Sequence, residues 1–219
     1  MKKIFFLVIP MLLTIGVSAQ SGNPNTMTVL VDGKEYVTEP RRIIIGAYSY
    51  ITGNAINPDK SLRVWLGTYD GKEITEPGKY LIVGDEGYKK DDEVDKAWMT
   101  GQYKGIAFVR YIEETKTPRM EYHMGESVFT GQSIDVTKGD DGYLELTFDA
   151  DLAGSWWKEN TSATVFGGVG RLTDKMTDKA VTGATGYDQD IDPEGRGYKK
   201  QKTTDQVKLA QCKIRLKLD

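Results

Sequence analysis

After a short apolar opening, large hydrophobic side chains recur at every second position along much of the chain, and no stretch sustains a 3.6-residue period. Alternation of period two is the mark of strands with one buried face. Segment 26–31 reads as a first strand, Asp32-Gly33 as a two-residue turn that accepts positive φ, and 34–38 as its returning partner. Segment 42–50 carries Ile43-Ile44-Ile45, the pattern of a strand buried on both faces. In 61–69, Leu62, Val64 and Leu66 share one face, and Arg63, Trp65 and Tyr69 the other. Pro77-Gly78 then turns the chain into a short strand at 79–83.

Segment 84–101 is acidic and lysine-rich and reads as a solvent-exposed loop. Segments 105–113 and 119–124 form a strand pair around Thr115-Lys116-Thr117-Pro118, 127–137 continues the pattern, and Asp140-Asp141-Gly142 is a turn. The clearest alternation is in 143–151, with Leu144, Leu146, Phe148 and Ala150 inward and Glu145, Thr147 and Asp149 outward; 162–172 is its expected partner. Segment 173–206 is polar and glycine-rich, the composition of a long loop or insertion. Alternation returns at 207–218, where Ala210, Cys212, Ile214, Leu216 and Leu218 share a face. Nine or ten short strands with frequent turns predict an all-β fold: one antiparallel β-sandwich domain over 20–219, or a barrel-like closure of it.

The opening residues change the expected compartment. Lys2 and Lys3 precede a mostly apolar run, and Val17-Ser18-Ala19 offers the small side chains of a signal-peptidase site. The run is too short for a bilayer-spanning helix and contains Pro10, so 1–19 reads as a cleaved leader and the mature chain as periplasmic or extracellular, with no transmembrane segment. No cysteine follows the run to carry a lipid. Loss of the leader turns 29 basic residues into 27 against 32 acidic ones, a net charge near −5. The charges alternate in sign, and Lys199-Lys200-Gln201-Lys202 is too short a run to act as a nucleic-acid face.

Candidate chemistry is sparse. His123 and Cys212 are single, which excludes the usual zinc sets and leaves hydrolysis of the Cys-His kind with a cysteine expected inside a strand. His123 therefore reads as a surface or strand residue, and no cofactor is indicated. Asp188-Gln189-Asp190-Ile191-Asp192 has oxygen ligands at alternate positions, but Pro193 stands where a calcium loop needs glycine and Lys199 where it needs a closing glutamate. A solvated acidic loop is the expected state, an irregular calcium site through Glu194 the alternative. Gly167-Gly168-Val169-Gly170 has no helix behind it to receive a phosphate. Glu145 and Asp149 share a strand face, but four residues along one strand is more than twice the ~5 Å of a retaining glycosidase pair.

Trp156-Trp157, after Gly154 in an expected connection, is the strongest sign of a binding surface. Flat aromatic rings stack on sugar faces and on partner side chains. Trp65, with Tyr69 on the same strand face, and Trp98 would extend that surface, while core packing is the plainer use of all of them.

Thr28-Val29-Leu30-Val31-Asp32-Gly33-Lys34-Glu35-Tyr36 resembles the opening hairpin of small exported domains of unknown function common in Bacteroidetes. Glu76-Pro77-Gly78-Lys79-Tyr80 is similar to their step into a central strand, and Tyr143-Leu144-Glu145-Leu146-Thr147-Phe148 to their penultimate motif. The resemblance implies an envelope-side β-sandwich and transfers no catalytic residue; the lipid-attachment cysteine of many members is missing, and the chain beyond 172 is an extension. Together these readings predict a non-enzymatic module that binds a glycan or an envelope protein. The alternatives are a carboxylate-based carbohydrate hydrolase and a structural subunit whose last strand adds to a neighbour's sheet.

Overall fold

The computed structural model describes residues 25–45, 48–55, 60–84, 87–115, 121–159 and 198–218. The leader, the strand expected at 162–172, the glycines at 167–170 and the acidic run 188–194 lie outside these residues. Ten strands make up nearly all of what is described: β1 (Thr26–Val31), β2 (Lys34–Ile45), β3 (Tyr48–Ala55), β4 (Lys60–Gly67), β5 (Gly78–Ile82), β6 (Gly105–Thr115), β7 (Glu121–Ser127), β8 (Ser133–Lys138), β9 (Tyr143–Glu159) and β10 (Tyr198–Lys217). They form one sheet in the order β10-β1-β2-β3-β4-β6-β5-β8-β9-β7, and further pairings of β10 with β9 and β6 with β7 carry the hydrogen bonding round into a ring-like whole. The all-β class is as alternation predicts. The sheet is mixed, because β5 runs parallel to β6 while the other described pairs are antiparallel.

The inward face is aliphatic. β9 contributes Leu144, Leu146, Phe148, Ala150 and Leu152, β4 Leu62, Val64 and Leu66, and β6 Ala107, Val109 and Tyr111, all in one buried cluster. Full burial of each large aliphatic side chain is worth about 1.5–3 kcal/mol, so this cluster is the main source of stability. In β10 the inward positions change parity, with Val207 and Leu209 before Ala210 and Cys212, Ile214 and Leu216 after it. A bulge makes the change: Leu209 faces Ala150 but Cys212 faces Phe148, with Gln211 at φ 53°. Gln211 N–H, freed from the ladder, donates to Asp149 Oδ1 at 2.6 Å. Ala210, expected inside with Cys212, is only half-buried at this bulge.

Several expected elements are corrected. Segment 42–50 is not one strand: β2 ends at Ile45, β3 begins at Tyr48, and those two residues pair with each other in an antiparallel ladder. Ile44 is 65% exposed, so the isoleucine run does not mark two buried faces. Pro40 lies in β2 just past Thr38, the last residue with a β1 partner, where a residue lacking an N–H is tolerated. The loop expected at 84–101 contains a 3-10 turn (Tyr88–Lys90) and a helix, α1 (Asp92–Trp98). Asp91 caps α1 by accepting from Glu93 N and Val94 N, and acids in its first turn and Lys96 in its last complement the helix dipole. Val94, 1% exposed, pins α1 to Leu81, Val83 and Ile106 on the outward face of the sheet. The long loop expected at 173–206 gives way from Tyr198 onward to strand β10, which pairs with β9 along most of its length.

Candidate functional site

Trp156 and Trp157 lie within β9, not in a connection, so their side chains leave opposite faces of the sheet. Trp157 points outward and packs against Ile112, Tyr122, Met124 and Tyr198, with the Lys200 ammonium 5.7 Å from its ring centroid. Trp156 shares the inward parity of Leu152, but at the end of the ring-like sheet where the aliphatic lining gives out.

There Trp156 faces His123 of β7 across the ladder. Their rings stack with centroids 4.4 Å apart and planes 16° apart. His123 Nε2 donates to Asp205 Oδ1 of β10 at 2.8 Å. A carboxylate only accepts, so the contact puts the imidazole proton on Nε2. The side chains of His123 and Asp205 are 13% and 43% exposed, which makes the imidazole the sheltered partner. β9 lies between β7 and β10, so this bond crosses a whole strand. It passes over Gly154, opposite Asp205 on one side and Gly125 on the other. A Cβ on Gly154 would stand 2.8 Å from His123 Nε2 and overlap Asp205 Oδ1. Residues 201–203 of β10 bulge out of the ladder beside Trp156, as strands often do where a side chain is re-aimed.

Charged groups surround the stack. Glu113 of β6 sits opposite His123 and pairs with Lys60 of β4 at 3.3 Å. Tyr111, one inward position deeper, donates to Glu113 at 3.1 Å. Burial, with Glu113 adding to it, pushes the Tyr111 hydroxyl well above its ordinary pKa. One row further out, Glu121 and Lys158 pair at 3.2 Å, with Lys199 opposite Lys158. Indole, imidazole and carboxylates thus converge from β6, β7, β9 and β10 on the rim of an apolar interior.

No family model, curated protein or solved structure matches the chain.

Trp65 and Tyr69 are elsewhere, on the outward face under α1. Trp65 stacks on Phe108 at 4.9 Å, and Tyr69 on Trp98 at 4.7 Å. Tyr69 donates a short hydrogen bond to Asp95 of α1, and that bond, helped by burial, raises its pKa to about 12. These rings hold the helix to the sheet and do not join Trp156. Glu145 and Asp149 both lie on the exposed face and are engaged separately, Glu145 by Arg215 at 3.3 Å and Asp149 by Gln211 N–H. Cys212 is buried, and burial raises its thiol pKa far above the usual value. Among the described residues no three metal-ligating side chains cluster. The half of β10 expected to add to a neighbour's sheet is paired on both sides, by β1 and β9. Sequence reasoning missed Asp205 and the role of His123, which lie 82 positions apart; the one local signal was a glycine two residues before Trp156.

Proposed function

We propose that the chain is an exported, non-enzymatic binding module whose inward-facing Trp156–His123–Asp205 cluster receives a glycan. One observation carries the reading: an indole is stacked on an imidazole that is tied to a carboxylate, on the rim of an apolar interior. The indole offers a flat apolar surface to the C–H face of a pyranose. Carboxylate and imidazole beside it supply acceptors and donors for ring hydroxyls, the few placed polar groups that orient a ligand and give specificity. The His–Asp bond and the stack hold both rings in place before a ligand arrives, which lowers the ordering cost of binding. The leader-like residues 1–19 support the exported setting.

The test is a glycan array probed with the mature chain, followed by calorimetry on the best ligand with Trp156→Ala and Trp156→Phe. Trp156→Ala should weaken binding at least tenfold and Trp156→Phe less, both with unchanged denaturation midpoints. Absence of any bound glycan, or a folded Trp156→Ala protein that binds as well as the parent, would refute the reading. Capture of an envelope protein at the same residues, with no glycan bound, would replace it by a protein-partner function.

A further inference from the structure

Asp-Gly pairs stand at turns in Asp32-Gly33, Asp70-Gly71 and Asp141-Gly142, and their carboxylates are held very differently. We infer that Asp70 is a site of spontaneous isoaspartate formation, and that the change loosens the docking of α1.

Among aspartyl pairs Asp-Gly is the most open to this reaction, because glycine has no Cβ to shield its backbone nitrogen. The Gly71 nitrogen bonds to Asp70 Cγ, and a carboxyl oxygen leaves as water with the amide proton and the carboxyl's own. Water then reopens the five-membered ring at the Asp70 main-chain carbonyl, and the backbone thereafter runs through Cβ and Cγ. One water is lost and one regained, so no other reagent is needed.

The carboxyl group must turn onto that nitrogen and must be protonated to shed its oxygen. Asp32 Oδ1 accepts from Lys208 N at 2.9 Å, which ties it to β10. Asp141 accepts from Tyr143 N at 3.1 Å and from Arg215, and these bonds, the first more than the second, hold its carboxyl below the usual aspartate range. Asp70 is exposed, and no described group holds its carboxylate. The attacking nitrogens do not set the order, since Gly71 N donates to Thr68 O at 2.9 Å and Gly142 N to Gly139 O at 3.0 Å.

The main chain at Asp70 also supports the helix. Tyr69 stacks on Trp98 and donates to Asp95, while its carbonyl accepts from the Tyr88 hydroxyl at 2.9 Å. Lys89 of the 3-10 turn donates to the Asp70 carbonyl at 3.4 Å. Isomerisation adds a carbon to the backbone between Tyr69 and Gly71 and turns that carbonyl into a carboxylate. Groups that hold α1 and the 3-10 turn to the sheet are thereby displaced.

The experiment incubates the full chain at pH 6 for several weeks, digests it, and reads the peptides by electron-transfer fragmentation, which separates the two linkages. Isoaspartate should accumulate at Asp70 about tenfold faster than at Asp32, the population cost of releasing one hydrogen bond to a charged group, and more slowly still at Asp141. Asp70→Glu keeps the charge but forms no five-membered ring, so position 70 should stay unmodified. Hydrogen exchange across 92–98 should be faster in the aged parent than in the fresh chain, and unchanged by ageing in Asp70→Glu. Equal rates at the three pairs, or Asp32 or Asp141 leading, overturns the site. Equal exchange in the aged parent and the aged variant overturns its effect on α1.

Discussion

Replacing Gly154 by alanine separates the geometry of the rim from the stability of the fold. The new methyl would overlap Asp205 Oδ1 and stand 2.8 Å from His123 Nε2, so the bond between them cannot survive in place. Asp205 is 43% exposed and can swing into water, which makes its retreat cheap. Loss of one hydrogen bond between partly exposed side chains costs about 0.5–1.5 kcal/mol. The methyl also restricts the unfolded chain, which returns about 0.4–1 kcal/mol when the backbone tolerates it. The net change in folding free energy should thus be within about 1 kcal/mol of zero, although the rim is disrupted. Gly125 provides the contrast: its Cβ would press on Leu152 and Val207 at 3.1–3.3 Å, and both are buried in the core. Gly125→Ala should cost about 1–3 kcal/mol by overpacking. Urea denaturation measures both quantities. The imidazole ¹⁵N shifts, unambiguous because His123 is the only histidine, report whether Nε2 still donates. A Gly154→Ala protein with wild-type imidazole shifts, or one destabilised by more than about 3 kcal/mol, would refute the reasoning.

Asp91→Ala removes the cap that accepts from Glu93 N and Val94 N. It should lower stability by about 1 kcal/mol and speed hydrogen exchange across 92–98; unchanged exchange there would show that packing against the sheet holds the helix without the cap. Alkaline pH should weaken the fold in a defined window. The bond to Asp95 pushes the Tyr69 hydroxyl up to about 12, and burial does the same for Tyr80, both above the ordinary tyrosine value of 10.0. The folded chain then keeps protons that the unfolded chain has released, so this stability is complete below pH 10 and is lost as pH rises to 12. Urea midpoints between pH 9 and 12 should fall less steeply for Tyr69→Phe than for the parent, and equal slopes would contradict the assignment.

Strands were legible where one face is apolar and the other polar, as in Leu144-Glu145-Leu146-Thr147-Phe148. Reading failed where both faces are covered or neither is. Trp156 and Trp157 break alternation because the first lines the inward rim and the second belongs to a separate outward cluster. The first half of β10 is polar on both faces, since it extends past the reach of β1 and pairs only with β9 among the described strands. Helix α1 has one fully buried anchor in seven residues, too few for a 3.6-residue period to show. The candidate site was half legible. Tryptophan type pointed to Trp156, but the His123–Asp205 bond depends on two register shifts in β10, at 200–204 and 209–212, that no local pattern encodes.

The hydrogen bonding between β1 and β10 has a consequence for how the molecule is made. Thr26 lies opposite Arg215, so one of the first strands to be synthesised must wait for one of the last before its outer edge is satisfied. Such distant partners make folding slow, and the ring stays unzipped while the chain is still emerging. A polypeptide that cannot close early keeps its first strand edge open until its last strand is made.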